Sequence, residues 1–111
     1  MKADTEQETK RSLAKVTGGD LWLDNGCILL DVTFEYEDGG CQGLGYIIND
    51  TSFVKRFMRV FRVDHLSQVN GRSCWVDHSH NGITAIHPLH RKDGEAFDIK
   101  EWSREQKANG K

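Results

Sequence analysis

Five histidines are the side chains here most able to do chemistry, and His78, His80 and His87 fall in one short stretch. Asn81-Gly82 between apolar-rich runs predicts a tight hairpin turn, since Asn tolerates and Gly readily adopts the positive φ that such turns need. Pairing outward from that turn sets His80 against Ile83, Ser79 against Thr84, His78 against Ala85, Asp77 against Ile86 and Val76 against His87. Directly opposed residues share a sheet face. Cys74, Val76, His78, His80, Ile83, Ala85, His87 and Leu89 then lie on one side of the hairpin. Three imidazoles so placed could bind zinc and leave a fourth position open. Their spacing matches no established zinc signature, and aliphatic neighbours suit packed, hydrogen-bonded histidines better. No cofactor is expected, and zinc on His78, His80 and His87 stands as an alternative.

Nucleophilic catalysis fits the same stretch poorly. Cys74 and His78 are four residues apart on one strand face, about 13 Å in an extended chain. Proton transfer needs about 3 Å. Asp77 and Ser79 point to the face opposite His78, so no triad forms there. Glu35, Glu37 and Asp38 read as a solvated strand end. Four glycines between Gly39 and Gly45 suggest a phosphate cradle, yet the P-loop Lys-Ser/Thr and the dinucleotide spacing are both missing. That segment reads as a tightly packed or bulged strand. No catalytic residue is assigned, and the chain is expected not to be an enzyme.

The most coherent polar surface is cationic. Phe53, Val54, Phe57, Met58, Val60 and Phe61 recur at helical spacing, predicting a helix over Ser52–Val63. Lys55, Arg59 and Arg62 fall on its opposite side, with Arg56 on the flank. An amphipathic helix ordinarily turns such residues to solvent, but they could equally contact an acidic protein or phosphates. Lys55, Arg56, Arg59 and Arg62 are therefore the candidate partner-binding residues. Acidic Asp20, Asp24, Asp31, Glu35, Glu37 and Asp38 on the first hairpin oppose them, which also permits self-association.

These groups must be positioned by a single domain, since 111 residues support one core. Asn25-Gly26 predicts the first hairpin, with Leu21, Leu23, Ile28, Leu30, Val32, Phe34 and Tyr36 as its core face. Asp98-x-x-Glu101 resembles a capping box opening a last short helix, anchored by Trp102. The expected fold is α+β: an antiparallel sheet from two hairpins, one amphipathic helix packed on it, and a short C-terminal helix. Residues 1–17 are expected to be a flexible polar arm, 18–107 the domain, and 108–111 a frayed end. The net charge of −2 excludes neither class of partner but disfavours a broadly basic nucleic-acid binder. Cys27, Cys41 and Cys74, odd in number and without CxxC spacing, argue for reduced thiols. No apolar run reaches the roughly 20 residues of a membrane span, and no signal peptide is evident. No membrane partner is expected, and a bacterial cytoplasmic location is.

Several stretches together carry a resemblance: Gly39-Gly40-Cys41-Gln42-Gly43-Leu44-Gly45-Tyr46, Phe53 through Val63, Gly71-Arg72 through Trp75-Val76 to His80, and Ile83-Thr84-Ala85-Ile86. Over roughly residues 20–100 the chain resembles a family of small phage and prophage proteins. Its motifs are structural, and the resemblance brings no activity, cofactor or catalytic residue. It implies a phage or prophage product in the host cytoplasm. The expected function is that of an accessory protein binding a host or phage macromolecule, with inhibition of a host defence system as one form. Nucleic-acid binding through the helix cations, and zinc binding, remain the alternatives.

Overall fold

The computed structural model describes residues 9–49 and 51–109. Asn25 and Gly26 take φ of 53° and 83°, the left-handed values that a two-residue turn demands. They join strand β1 (Lys10–Asp24) to β2 (Cys27–Tyr36) with Asp24 opposite Cys27. β3 (Cys41–Ile47) continues the meander. Helix α1 (Ser52–Phe61) and a 3-10 turn at Leu66–Val69 lead to β4 (Ser73–Ser79) and β5 (Gly82–Pro88). A second 3-10 turn (Arg91–Asp93), the short β6 (Phe97–Asp98) and helix α2 (Ile99–Asn109) complete the chain. The six strands form one antiparallel sheet in the order β3-β2-β1-β4-β5-β6.

The join between the two hairpins corrects the expected N-terminal arm. Residues 1–8 lie outside the described residues, but Lys10–Lys15 pair with β4. Ser12, Ala14 and Val16 face inward, while Arg11, Leu13 and Lys15 face out. Ala14 and Val16 are buried. Only two small apolar groups mark that inward row, so the outward charges hide the alternation. The frayed end expected from residue 108 is likewise shortened, since α2 runs to Asn109; Gly110 and Lys111 lie outside the described residues.

The sheet curls around α1. Phe53, Phe57, Val60 and Phe61 pack against Leu30, Val32, Phe34, Val76 and Ile86. Phe53 stacks on Tyr46 at 4.1 Å and meets Trp102 edge-on at 5.2 Å. Trp102 donates its indole N–H to Ser52 Oγ at 3.0 Å, which ties α2 to the start of α1. Asp98 accepts from the Glu101 amide at 2.9 Å, the capping contact that starts α2. Curling brings Gln42 on β3 close enough to donate to the Ser79 carbonyl at 3.0 Å. Gly94 permits another close approach: a Cβ there would sit 1.9 Å from the Val60 carbonyl oxygen at the end of α1.

The second hairpin departs from its expected register. Ser79 pairs with Gly82, so the turn is His80-Asn81 and not Asn81-Gly82. A bulge then offsets the strands between Asp77 and His78, with Thr84 as the extra residue. Thr84 Oγ1 donates to the Asp77 carbonyl at 3.2 Å and holds the bulge. The earlier turn alone would leave His87 opposite Cys74, on the face of Val76 and His78; the one-residue bulge pairs it with Trp75 and moves it to the other face.

Candidate functional site

The expected three-histidine site does not assemble. His78 lies on the concave side, stacked on Tyr36 at 4.2 Å, with Nε2 2.9 Å from Ser12 Oγ. Burial in that slot, followed by the charge of Lys10, lowers its pKa. His80 occupies the exposed turn. His87 is on the convex side, its Nε2 2.9 Å from Asp77 Oδ2 and 3.0 Å from an Arg11 terminal nitrogen. Among the described residues no group of three His, Cys, Asp or Glu side chains is placed to hold a metal ion. Cys74 is buried, and burial pushes its thiol up to about 12, so at neutral pH it is a packed apolar group and not a nucleophile.

On the convex side Arg11 donates through Nε and a terminal nitrogen to Asp77, at 2.6 and 3.0 Å. This fork pulls the Asp77 carboxyl below its ordinary value, against the raising effect of partial burial. The cluster ties three adjacent strands together. Sequence reasoning missed Arg11 because it lay in the presumed arm.

The cationic residues divide in role. Lys55 and Arg59 on α1, and Arg62 just past its end, are exposed and line a groove of about 580 Å³ with Met58 and Val63. Arg56 instead lays its guanidinium over the Phe97 ring, 5.0 Å from the centroid. Asp64 and Glu95 border the same groove, so its lining carries both signs of charge. Arg72 donates to the Phe61 carbonyl at 3.1 Å, so it supports the C-terminal end of α1 and does not extend the cationic surface.

The least conventional surface is the end of the first hairpin. Leu21, Leu23 and Ile28, expected in the core, are exposed and correct that expectation. They share a face with Leu30, Val32 and Phe34, but that face outruns its cover. β1 runs for fifteen residues, whereas the ten residues of α1 span only about 15 Å. Leu30 is 0% exposed, yet Leu23, beyond the helix, is 79% exposed. On the opposite face Trp22, Leu29 and Ile47 stand side by side across β1, β2 and β3. Trp22 is 55% and Ile47 57% exposed. The tip is therefore apolar on both faces. From Val16 to Val54 the sequence has seven carboxylates and no Lys, Arg or His. That charge segregation, together with an alternating run too long for the helix above it, was the signal available in the sequence.

β1 is also open along its outer half. As far as Gly19, its edge away from β2 is covered: by β4, by the Val16 amide donating to the Arg72 carbonyl, and by the Gly71 amide donating to the Val16 carbonyl. Asn70 Oδ1 then accepts from the Gly19 amide at 2.7 Å. Beyond Gly19, only β2 pairs with β1 among the described residues. In a two-residue hairpin the pair flanking the turn exchanges hydrogen bonds, and alternate residues point outward. Leu21 and Leu23 are those residues. The Leu21 amide is taken by its neighbour Asp20 Oδ1 at 2.9 Å.

The chain matches no family model, no curated protein and no solved structure.

Proposed function

We propose that this protein acts by binding another protein, without catalysis, and that the tip of the first hairpin is the principal contact. The observation that carries this reading is an apolar surface, built from Leu21, Trp22, Leu23, Ile28, Leu29 and Ile47, at the outer end of a sheet whose concave face is buried farther in. Grouped apolar side chains in water cost free energy unless something covers them, and such patches mark interaction surfaces. An exposed Trp among apolar neighbours matches the aromatic enrichment of interface centres. With the resemblance to small phage and prophage proteins, the proposed partner is a host or phage protein in a bacterial cell, a host defence complex included.

The groove beside Lys55, Arg59 and Arg62 supports the nucleic-acid alternative less well. Asp64 and Glu95 reduce its charge, and Arg56 and Arg72 are engaged elsewhere. Phosphate binding gains from several unopposed cations and exposed aromatic faces. Affinity purification from bacterial lysate separates the readings. A Leu21→Ser/Trp22→Ser/Leu23→Ser variant loses the partner that the wild type retains, while Lys55→Glu/Arg59→Glu retains it. Loss through the helix variant alone transfers the function to the cationic groove.

A further inference from the structure

From the open edge of β1 we infer the form of the partner: an extended segment alternating apolar and basic residues, added as a strand beside Asp20–Asp24. This rests on the tip being a docking surface and specifies how it docks. The first argument is hydrogen bonding. The cover of β1 ends at Gly19 with Asn70, and the outward-pointing residues beyond it are Leu21 and Leu23. An unpaired strand edge accepts another strand through its main chain.

The second argument is the side-chain pattern. Leu21 and Leu23 lie on the concave face, and Asp20, Trp22 and Asp24 on the convex face, with Asp31 opposite Asp20. A strand laid alongside must alternate in the same way. Its concave-side residues meet leucines, and its convex-side residues meet carboxylates around an indole. Lys or Arg suits those positions, because the charge pairs with Asp20 and Asp24 while the aliphatic stem covers Trp22. A second copy of this chain fits less well. Laid antiparallel, it brings another Asp20 and Asp24 to the same face and supplies no cation. Like charges opposed across strands destabilise pairing.

The test uses the full chain and a blocked peptide of alternating Val and Lys. Controls are the same composition in two separate runs, and Val alternating with Glu. Expected results are binding of the Val/Lys peptide alone and slowed hydrogen exchange at the Leu23 amide. Asp20→Asn/Asp24→Asn should weaken binding about tenfold. Leu23→Pro removes an outward amide hydrogen and leaves the bonds to β2 in place, so it abolishes binding. Exchange at Leu23 in the wild type gives the answer even if that variant folds poorly. Equal binding of the run-ordered peptide, or unchanged exchange at Leu23, overturns strand addition. A dimer with Leu23 protected before peptide is added overturns it in favour of a second copy. If the Leu21/Trp22/Leu23 variant loses its cellular partner while the peptide leaves Leu23 unprotected, only strand addition fails. If the partner is retained as well, the docking function fails with it.

Discussion

Two leucines on the same sheet face provide a quantitative check on whether the hairpin tip serves the fold. Leu30 is 0% exposed beneath α1, and Leu23 is 79% exposed beyond it. Complete burial of a leucine side chain contributes about 1.5–3 kcal/mol, so the fifth that Leu23 buries is worth about 0.4 kcal/mol. Leu30→Ala loses the whole transfer term and leaves a cavity, which costs about 2–5 kcal/mol. Urea unfolding at matched protein concentration distinguishes these values. With a slope of about 1.5 kcal/mol per molar, Leu30→Ala lowers the midpoint by about 2 M and Leu23→Ala by less than about 0.3 M. A Leu23→Ala loss as large as that of Leu30→Ala refutes the reasoning, because the tip would then belong to the core. If that large loss depends on protein concentration, the cover comes from a second copy.

Three further outcomes follow from the remaining contacts. Asp77, held low chiefly by Arg11, favours the folded state above its ordinary value of 3.8, and this contribution disappears as pH falls through its lower folded value. Arg11 is more than half exposed, so the effect is about 1 kcal/mol after solvent screening. Urea midpoints below pH 4 should fall less steeply in Asp77→Asn than in the wild type. Gly94→Ala forces a Cβ into the Val60 carbonyl and should cost about 1–3 kcal/mol by thermal or urea unfolding. Alkylation at pH 8, followed by mass spectrometry, should label exposed Cys27 and Cys41 while Cys74 stays unmodified until the protein unfolds.

The sequence revealed local order better than extent. Asn25-Gly26 fixed the first turn because only one pairing satisfies its backbone, and the α1 periodicity survived with its end two residues early, at Phe61. Arg62 stops the helix in a left-handed conformation, which no local residue type signalled. In the second hairpin Asn81-Gly82 suggested a turn that the chain makes one residue sooner. The earlier turn takes His80 out of the strand, and the one-residue bulge at Thr84 moves His87 to the other face, so the two together disperse the candidate zinc site. Alternation assigned Leu21, Leu23 and Ile28 to the right face. Whether that face is covered depends on the length of α1 relative to β1, a tertiary property that alternation does not encode. β1 itself was hidden in part, because Arg11 and Lys15 sit on the solvent side of a strand whose inward row starts with polar Lys10 and Ser12 and buries only Ala14 and Val16.

A photo-crosslinking amino acid placed separately at Leu23, at Arg59 and at Glu105 tests the central claim most directly. Exposed Glu105 on α2 serves as the background position. In bacterial lysate the Leu23 position should form a discrete protein adduct, with the crosslink mapping to a segment that alternates apolar residues with Lys or Arg. Adducts only from Arg59, or none from Leu23 above the Glu105 background, would contradict docking at the hairpin tip.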